Sequence, residues 1–171
     1  MLVFQYGSNC LDSQINGDDR LSGDAKFIDT ARADGFELAF NVWSNKRGCA
    51  ASDMIAKLGA VVWGVLYEVP EHLMSRDTAR TVNRRSFDAI EGEGTNYQRK
   101  TINVLQGGNV PVDAVTYTVI SPTSGLKTSI VYVGHIVAGL RQRGVDPLYI
   151  ERVKQIASAN NPSIASEVSA L

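Results

Sequence analysis

Residues 36–43 read Phe-Glu-Leu-Ala-Phe-Asn-Val-Trp. Phe36, Leu38, Phe40 and Val42 fall on one side, and Glu37, Ala39 and Asn41 on the other. That period of two marks a strand with one buried face. Such a strand needs paired neighbours, and the chain supplies them. Leu2 to Tyr6 is a short apolar run stopped by Gly7, as in a buried strand. Val61 to Val69, containing Trp63, Leu66 and Tyr67, has the β-rich composition of a central strand. Tyr97 to Leu105 and Val112 to Ile120 are predicted strands separated by the Gly107-Gly108 turn, with Pro111 just ahead of the second, where no ladder N–H is required. Ser129 to Val137 is mostly apolar and fits either a short strand or a loop.

Helical signals fall between these runs. Leu11 and Ile15 lie four apart, as on one face of a short helix. Pro70 opens a helix in which Leu73, Met74 and Ala79 face the core. Phe87 and Ile90 precede a break at Gly92 and Gly94. Asp146-Pro147 is a cap followed by a first-turn proline, with Tyr149, Val153 and Ile156 at helical spacing behind it. Asn16 to Asp24 and Asn45 to Asp53 are polar loops, and the small, polar tail from Asn160 is expected to fray. Five strands and three or four helices, irregularly interleaved and without repeat or linker, make residues 1–171 one mixed, largely antiparallel α+β domain. A small β-barrel with flanking helices satisfies that pattern.

Composition excludes several classes. A chain of 171 residues buries roughly two-thirds of its unfolded surface, enough for one self-supporting core. A net charge of −1 argues against nucleic acid as a partner, and the basic clusters at Arg84-Arg85 and Arg141 to Arg143 are short enough to be solvated surface. Cys10 and Cys49 form no Cys-x-x-Cys pair, and His72 and His135 are far apart, so no structural metal is expected. The N-terminus has no basic region ahead of a long apolar stretch. No signal peptide or membrane partner is expected, and sparse, free cysteines fit a reduced cytoplasmic setting.

Three constellations could carry chemistry. Tyr6-Gly7-Ser8-Asn9 ends the first strand. Gly-Ser-Asn is ordinary turn chemistry, yet a glycine there also lets successive N–H groups converge on a carboxylate or phosphate. Asp88-Ala-Ile-Glu91-Gly92-Glu93-Gly94 places carboxylates beside glycines after apolar residues, either an exposed acidic turn or an acid aimed into a cleft. Tyr97 and Tyr132 stand in strand-like contexts, where a tyrosine most often packs its ring and wets its hydroxyl. Ser8 has no histidine motif to activate it as a nucleophile.

Taken in order, these segments resemble the γ-glutamylcyclotransferase family, also called AIG2-like. The family pattern of a strand ending in Tyr-Gly-Ser-Asn matches Tyr6 to Asn9, and its Gly-Val-bearing strand matches Trp63-Gly-Val-Leu-Tyr67. Its Asp-x-x-Glu-Gly followed by tyrosine matches Asp88 to Gly92 and Tyr97, and its closing tyrosine, turn and amphipathic helix match Tyr132, Gly144 to Pro147 and the helix from near Leu148. The chain departs in reading Gly-Val-Asp-Pro at that turn, in a long Arg-rich stretch from Glu71 to Phe87, and in a second carboxylate at Glu93.

The resemblance implies the family's barrel fold and a cofactor-independent cyclisation of a γ-glutamyl compound to 5-oxoproline. Glu91 would be the acid–base residue. Tyr6, Gly7, Ser8 and Asn9 would hold the substrate, with Tyr97 and Tyr132 walling the pocket. It leaves open a specialised γ-glutamyl-amine as substrate, and a non-catalytic binding module on the same fold, against which the presence of Glu91 argues. The leaving-group side would meet the loops Asn16 to Asp24 and Asn45 to Asp53. A homodimer is the base-rate expectation.

Overall fold

The computed structural model describes residues 1–171. Five strands close into a barrel in the order β1-β3-β2-β4-β5: β1 Leu2–Gln5, β2 Lys26–Ser44, β3 Cys49–Glu68, β4 Tyr97–Gln106 and β5 Val110–Val119. Every pairing is antiparallel except the one that closes the barrel, where β1 meets β5 in parallel at Val3↔Val115. The closing contacts are short: β1 meets β5 at one residue pair, and β2 meets β4 at two, Ala31↔Gln106 and Arg32↔Leu105.

All five predicted strands are present, and two are much longer than their sequence signal. β2 begins at Lys26 because the alternation continues upstream through Ala31 and Ala33, which are fully buried. Alanine carries too little hydrophobicity to announce a strand. The expected loop Asn45 to Asp53 is only a turn at residues 45–48, since Cys49 to Asp53 already belong to β3. These residues are small or polar but buried, so composition hid the strand. β2 and β3 form one long hairpin running from Lys26↔Glu68 to Ser44↔Cys49, bent by three register shifts.

The helices are α1 Asp12–Ile15, α2 Arg76–Thr81, α3 Phe87–Glu91, α4 Ile130–Gln142, α5 Pro147–Asn160 and α6 Ala165–Ala170, with short 3-10 turns at Ser8–Cys10, Glu71–Leu73 and Pro162–Ile164. α5 starts as expected, with the Asp146 carboxylate accepting the Leu148 N–H at 2.8 Å. No helix is long and apolar enough to cross a membrane.

Two further expectations are corrected. Ser129 to Val137 is neither strand nor loop. Ser129 caps α4 by accepting the Tyr132 N–H, and Tyr132, Val133, Ile136, Val137 and Leu140 form its buried stripe. The β-branched residues around Tyr132 disguised a helical period. The tail is not frayed either: it folds into the last 3-10 turn and α6, and Val168 is fully buried. Few but well-placed apolar residues suffice to dock it. α4 in turn packs on the Ser8–Cys10 turn so closely that a Cβ on Gly139 would lie 2.3 Å from the Leu11 nitrogen. Helix and turn therefore position one another.

Candidate active site

Glu91 is the last residue of α3, a helix of barely more than one turn that could not stand alone. Tertiary contacts fix it. Ser86 caps its start by accepting the Ala89 N–H at 3.1 Å. Phe87 is fully buried, with its ring edge-on to Tyr117 at 5.5 Å. Asp88 accepts the Tyr117 hydroxyl at 2.7 Å and pairs with Arg99 at 3.2 Å. The helix ends at Gly92 in the left-handed region (φ 73°), which leaves the Glu91 carboxyl facing the turn that follows β1.

There the Asn9 side-chain amide donates to Glu91 Oε1 at 2.6 Å, while its Oδ1 accepts from Arg20 at 2.8 Å. Asn9 thus relays the guanidinium to the carboxyl and is fixed in orientation by having a donor on one side and an acceptor on the other. Burial pushes the Glu91 pKa up to about 7, against the lowering effects of Arg20, the Asn9 hydrogen bond and Arg47. The residue keeps part of its surface on the cleft.

The turn itself is closed by Cys10 N–H to Gly7 O and Leu11 N–H to Ser8 O. The N–H groups of Gly7, Ser8 and Asn9 take no part in that closure, as at the start of any such turn. Gly7 is dictated by close approach: a Cβ there would lie 2.3 Å from Ser52 Oγ and 3.3 Å from the Tyr132 hydroxyl.

The three tyrosines converge on this point. Tyr6 donates to the Tyr117 carbonyl at 2.6 Å, and Tyr97 donates to the Ser52 carbonyl at 2.7 Å. The Tyr132 hydroxyl accepts the Ser52 N–H at 3.1 Å and is hydrogen-bonded to the Ser52 hydroxyl at 2.9 Å. Burial raises the pKa of all three, so they stay neutral hydroxyls across the physiological range.

The structure therefore brings Tyr6, Gly7, Ser8, Asn9, Glu91, Tyr97 and Tyr132 together around one small recess of about 40 Å³. The recess joins an outer cleft of about 250 Å³, also lined by Trp43, Arg47, Asn96 and Arg20. Neither histidine lines either space, and the Ser8 hydroxyl accepts from Arg47 at 3.0 Å. Glu93 points elsewhere: its carboxylate and carbonyl both hold Arg76.

Four contributors escaped the sequence reading: Arg20, Arg47, Ser52 and Tyr117. Arg20 and Arg47 lie on the two polar loops expected near the leaving group, but nothing local marks either as a cleft residue. Ser52 is hidden inside the disguised start of β3.

The chain matches the family model "Gamma-glutamyl cyclotransferase, AIG2-like" over residues 3–132. No curated protein matches significantly. Among solved structures it is similar to a γ-glutamyl cyclotransferase at 22% identity and TM-score 0.74, covering 90% of this chain and 86% of the other. It is likewise similar to an uncharacterised human protein at 24% and 0.72, covering 90% and 85%. A yeast γ-glutamyl cyclotransferase specific to glutathione is 12% identical, with TM-score 0.58 and coverage of 94% and 96%. At these identities the structures establish the shared fold. The family match spans the turn, the carboxylate helix and all five strands, and by it this chain belongs to the AIG2-like γ-glutamyl cyclotransferase family.

Proposed function

We propose that the protein cyclises a γ-glutamyl compound to 5-oxoproline, with Glu91 moving the protons. The observation that carries this reading is a carboxyl held by Asn9 of the turn after β1 at 2.6 Å, lining one recess with Tyr6, Tyr97 and Tyr132, its pKa pushed up by burial to about 7. An exposed acidic turn has none of these properties.

The reaction needs little beyond positioning and proton transfer. The α-amine of the γ-glutamyl group attacks its own γ-carbonyl, a five-membered lactam closes, and the amine on the far side of the carbonyl departs. Because the nucleophile is tethered, correct folding of the chain contributes up to about 7–11 kcal/mol in well-oriented cases. One of the three α-ammonium protons stays on the lactam nitrogen, and two end on the leaving amine. Ionised Glu91 takes each of those two protons in turn from the attacking nitrogen and delivers it to the leaving nitrogen, a role worth about 10²–10⁴ in rate. A group whose pKa lies near the working pH suits both halves of that task.

The recess fits the reacting end of the substrate. N–H groups of the Gly7–Asn9 turn, which take no part in closing it, would bind the α-carboxylate or the developing oxyanion. The Tyr6, Tyr97 and Tyr132 rings wall off water, and their hydroxyls are anchored on Tyr117 and Ser52. Purified protein incubated with γ-glutamyl-amino acids, γ-glutamyl-amines and glutathione should release 5-oxoproline from at least one of them. Absence of release from all three classes would leave the binding-module reading standing.

A further inference from the structure

Five arginines are half-buried: Arg20, Arg32, Arg47, Arg84 and Arg143. Three hold a carboxylate, in the pairs Arg32–Asp34, Arg84–Asp24 and Arg143–Asp12. The other two, Arg20 and Arg47, form no ion pair and both line the cleft. Their acceptors are all neutral: Asn9 Oδ1 at 2.8 Å for Arg20, and Ser8 Oγ at 3.0 Å and Gln14 Oε1 at 2.8 Å for Arg47. Partial burial of a guanidinium without a counter-charge is unfavourable, and burial does lower the pKa of Arg20. The neighbouring Lys46 is neutralised by Asp19.

The two guanidiniums sit at one place. The outer cleft shares Arg20, Lys46 and Arg47 with an adjoining space of about 240 Å³, otherwise lined by Ser13, Gln14 and Asp19. The recess holds no cationic side chain. A bound γ-glutamyl group is itself a zwitterion with no net charge. With Glu91 ionised as the base, two guanidiniums face one carboxylate, and one positive charge at the mouth of the cleft is left uncompensated.

We infer that Arg20 and Arg47 select leaving groups that carry one net negative charge while still acylated, so that the preferred substrates are γ-glutamyl derivatives of α-amino acids or of peptides through their α-nitrogen, rather than of amines whose remaining groups are uncharged or sum to zero. This rests on the cyclisation reading and names its substrate class. Two guanidiniums held by neutral acceptors are free to make charge-assisted hydrogen bonds to the leaving group's carboxylate. The exposed indole of Trp43 offers its side chain an apolar wall. The expected selectivity comes from losing that pairing with the wrong amine.

The test compares γ-glutamyl-glycine, γ-glutamyl-ethylamide and Nε-(γ-glutamyl)-lysine by 5-oxoproline release. The glycine compound should exceed the other two in kcat/KM by at least about tenfold, and the margin should shrink as salt screens the pair. Arg20→Gln and Arg47→Gln should each lower the glycine-to-ethylamide ratio toward one, whatever they do to the absolute rates. Arg47→Lys should keep part of the ratio. Equal turnover of the glycine and ethylamide compounds, or a preference untouched by both Arg→Gln changes, would overturn the inference and leave cyclisation intact. If no compound turns over, the cyclisation reading falls, and calorimetric binding to the wild-type protein decides the inference. Tighter binding of γ-glutamyl-glycine, lost in Arg47→Gln, would support it. Equal binding, or none, would overturn it.

Discussion

The Glu91 carboxyl lies under opposed influences, and their balance sets the pH behaviour of the enzyme. Burial raises its pKa, while Arg20, Asn9 and Arg47 pull it down, with a net value of about 7. The base form is the ionised one, so kcat/KM should fall by about tenfold per pH unit below that value and level off above it. Removing a cation that lowers the pKa must raise it, so Arg20→Gln should move this limb to higher pH. A limb unmoved by Arg20→Gln would mean that a different group titrates. Of the residues involved, Glu91 was legible because the Asp88 to Gly92 motif is local. Arg20 and Arg47 were not, because an arginine in a polar loop has no sequence mark that separates a cleft position from open solvent.

At the scale of the elements, the site depends on two close approaches. The Ser8–Cys10 turn is clamped between Ser52 on β3 and Gly139 on α4. Gly7→Val forces a side chain onto Ser52 Oγ, whereas Ser8→Ala removes only a hydroxyl held by Arg47. Gly7→Val should therefore abolish binding of γ-glutamyl ligands, and Ser8→Ala should weaken it by no more than about tenfold, the scale of one hydrogen bond. Calorimetry checks both, and the reverse order would show that the hydroxyl, not the backbone, is the donor. Glycine at position 7 could be read as a turn residue from the sequence, but its packing reason could not. Ser52, its near neighbour in space, lies 45 positions away on a strand whose first residues are small and polar.

The molecule as a whole stores an unfavourable charge in its cleft. Glu91 titrates near 4.5 when unfolded and near 7 when folded. A raised pKa in the folded state means stability that is fully present below the unfolded value and lost as pH rises through the folded one. Glu91→Gln keeps the Asn9 contact without the charge. Its melting temperature should equal that of the wild type below pH 4.5 and exceed it above pH 7. The gap corresponds to about 1–3 kcal/mol, allowing for the part of Glu91 that still meets water. A gap that does not open with pH would place the Glu91 pKa at its ordinary value.

The barrel was legible at this scale from five runs with strand composition. Which strands close it, β1 against β5 in parallel, and the extra lengths of β2 and β3 were not, since these depend on pairings between distant segments and on buried alanines. The packing of α6 escaped for a similar reason, as Val168 is a single apolar residue in a polar tail. What the closed barrel achieves is to bring the β1 turn, the β2–β3 turn, α3, β4 and α4 to one end, where Glu91 and the tyrosines meet.

The most direct measurement is a paired comparison of Glu91→Gln and Glu93→Gln in 5-oxoproline formation from a substrate that the wild type turns over. The two residues lie two positions apart and have similar chemistry, but one faces the Tyr6 to Asn9 turn and the other pairs with Arg76. Glu91→Gln should lose a factor of about 10²–10⁴ in kcat while remaining folded and still binding γ-glutamyl ligand, and Glu93→Gln should stay within a few-fold of wild type. Full turnover by Glu91→Gln, or a larger loss in Glu93→Gln, would contradict the assignment of Glu91 as the acid–base residue.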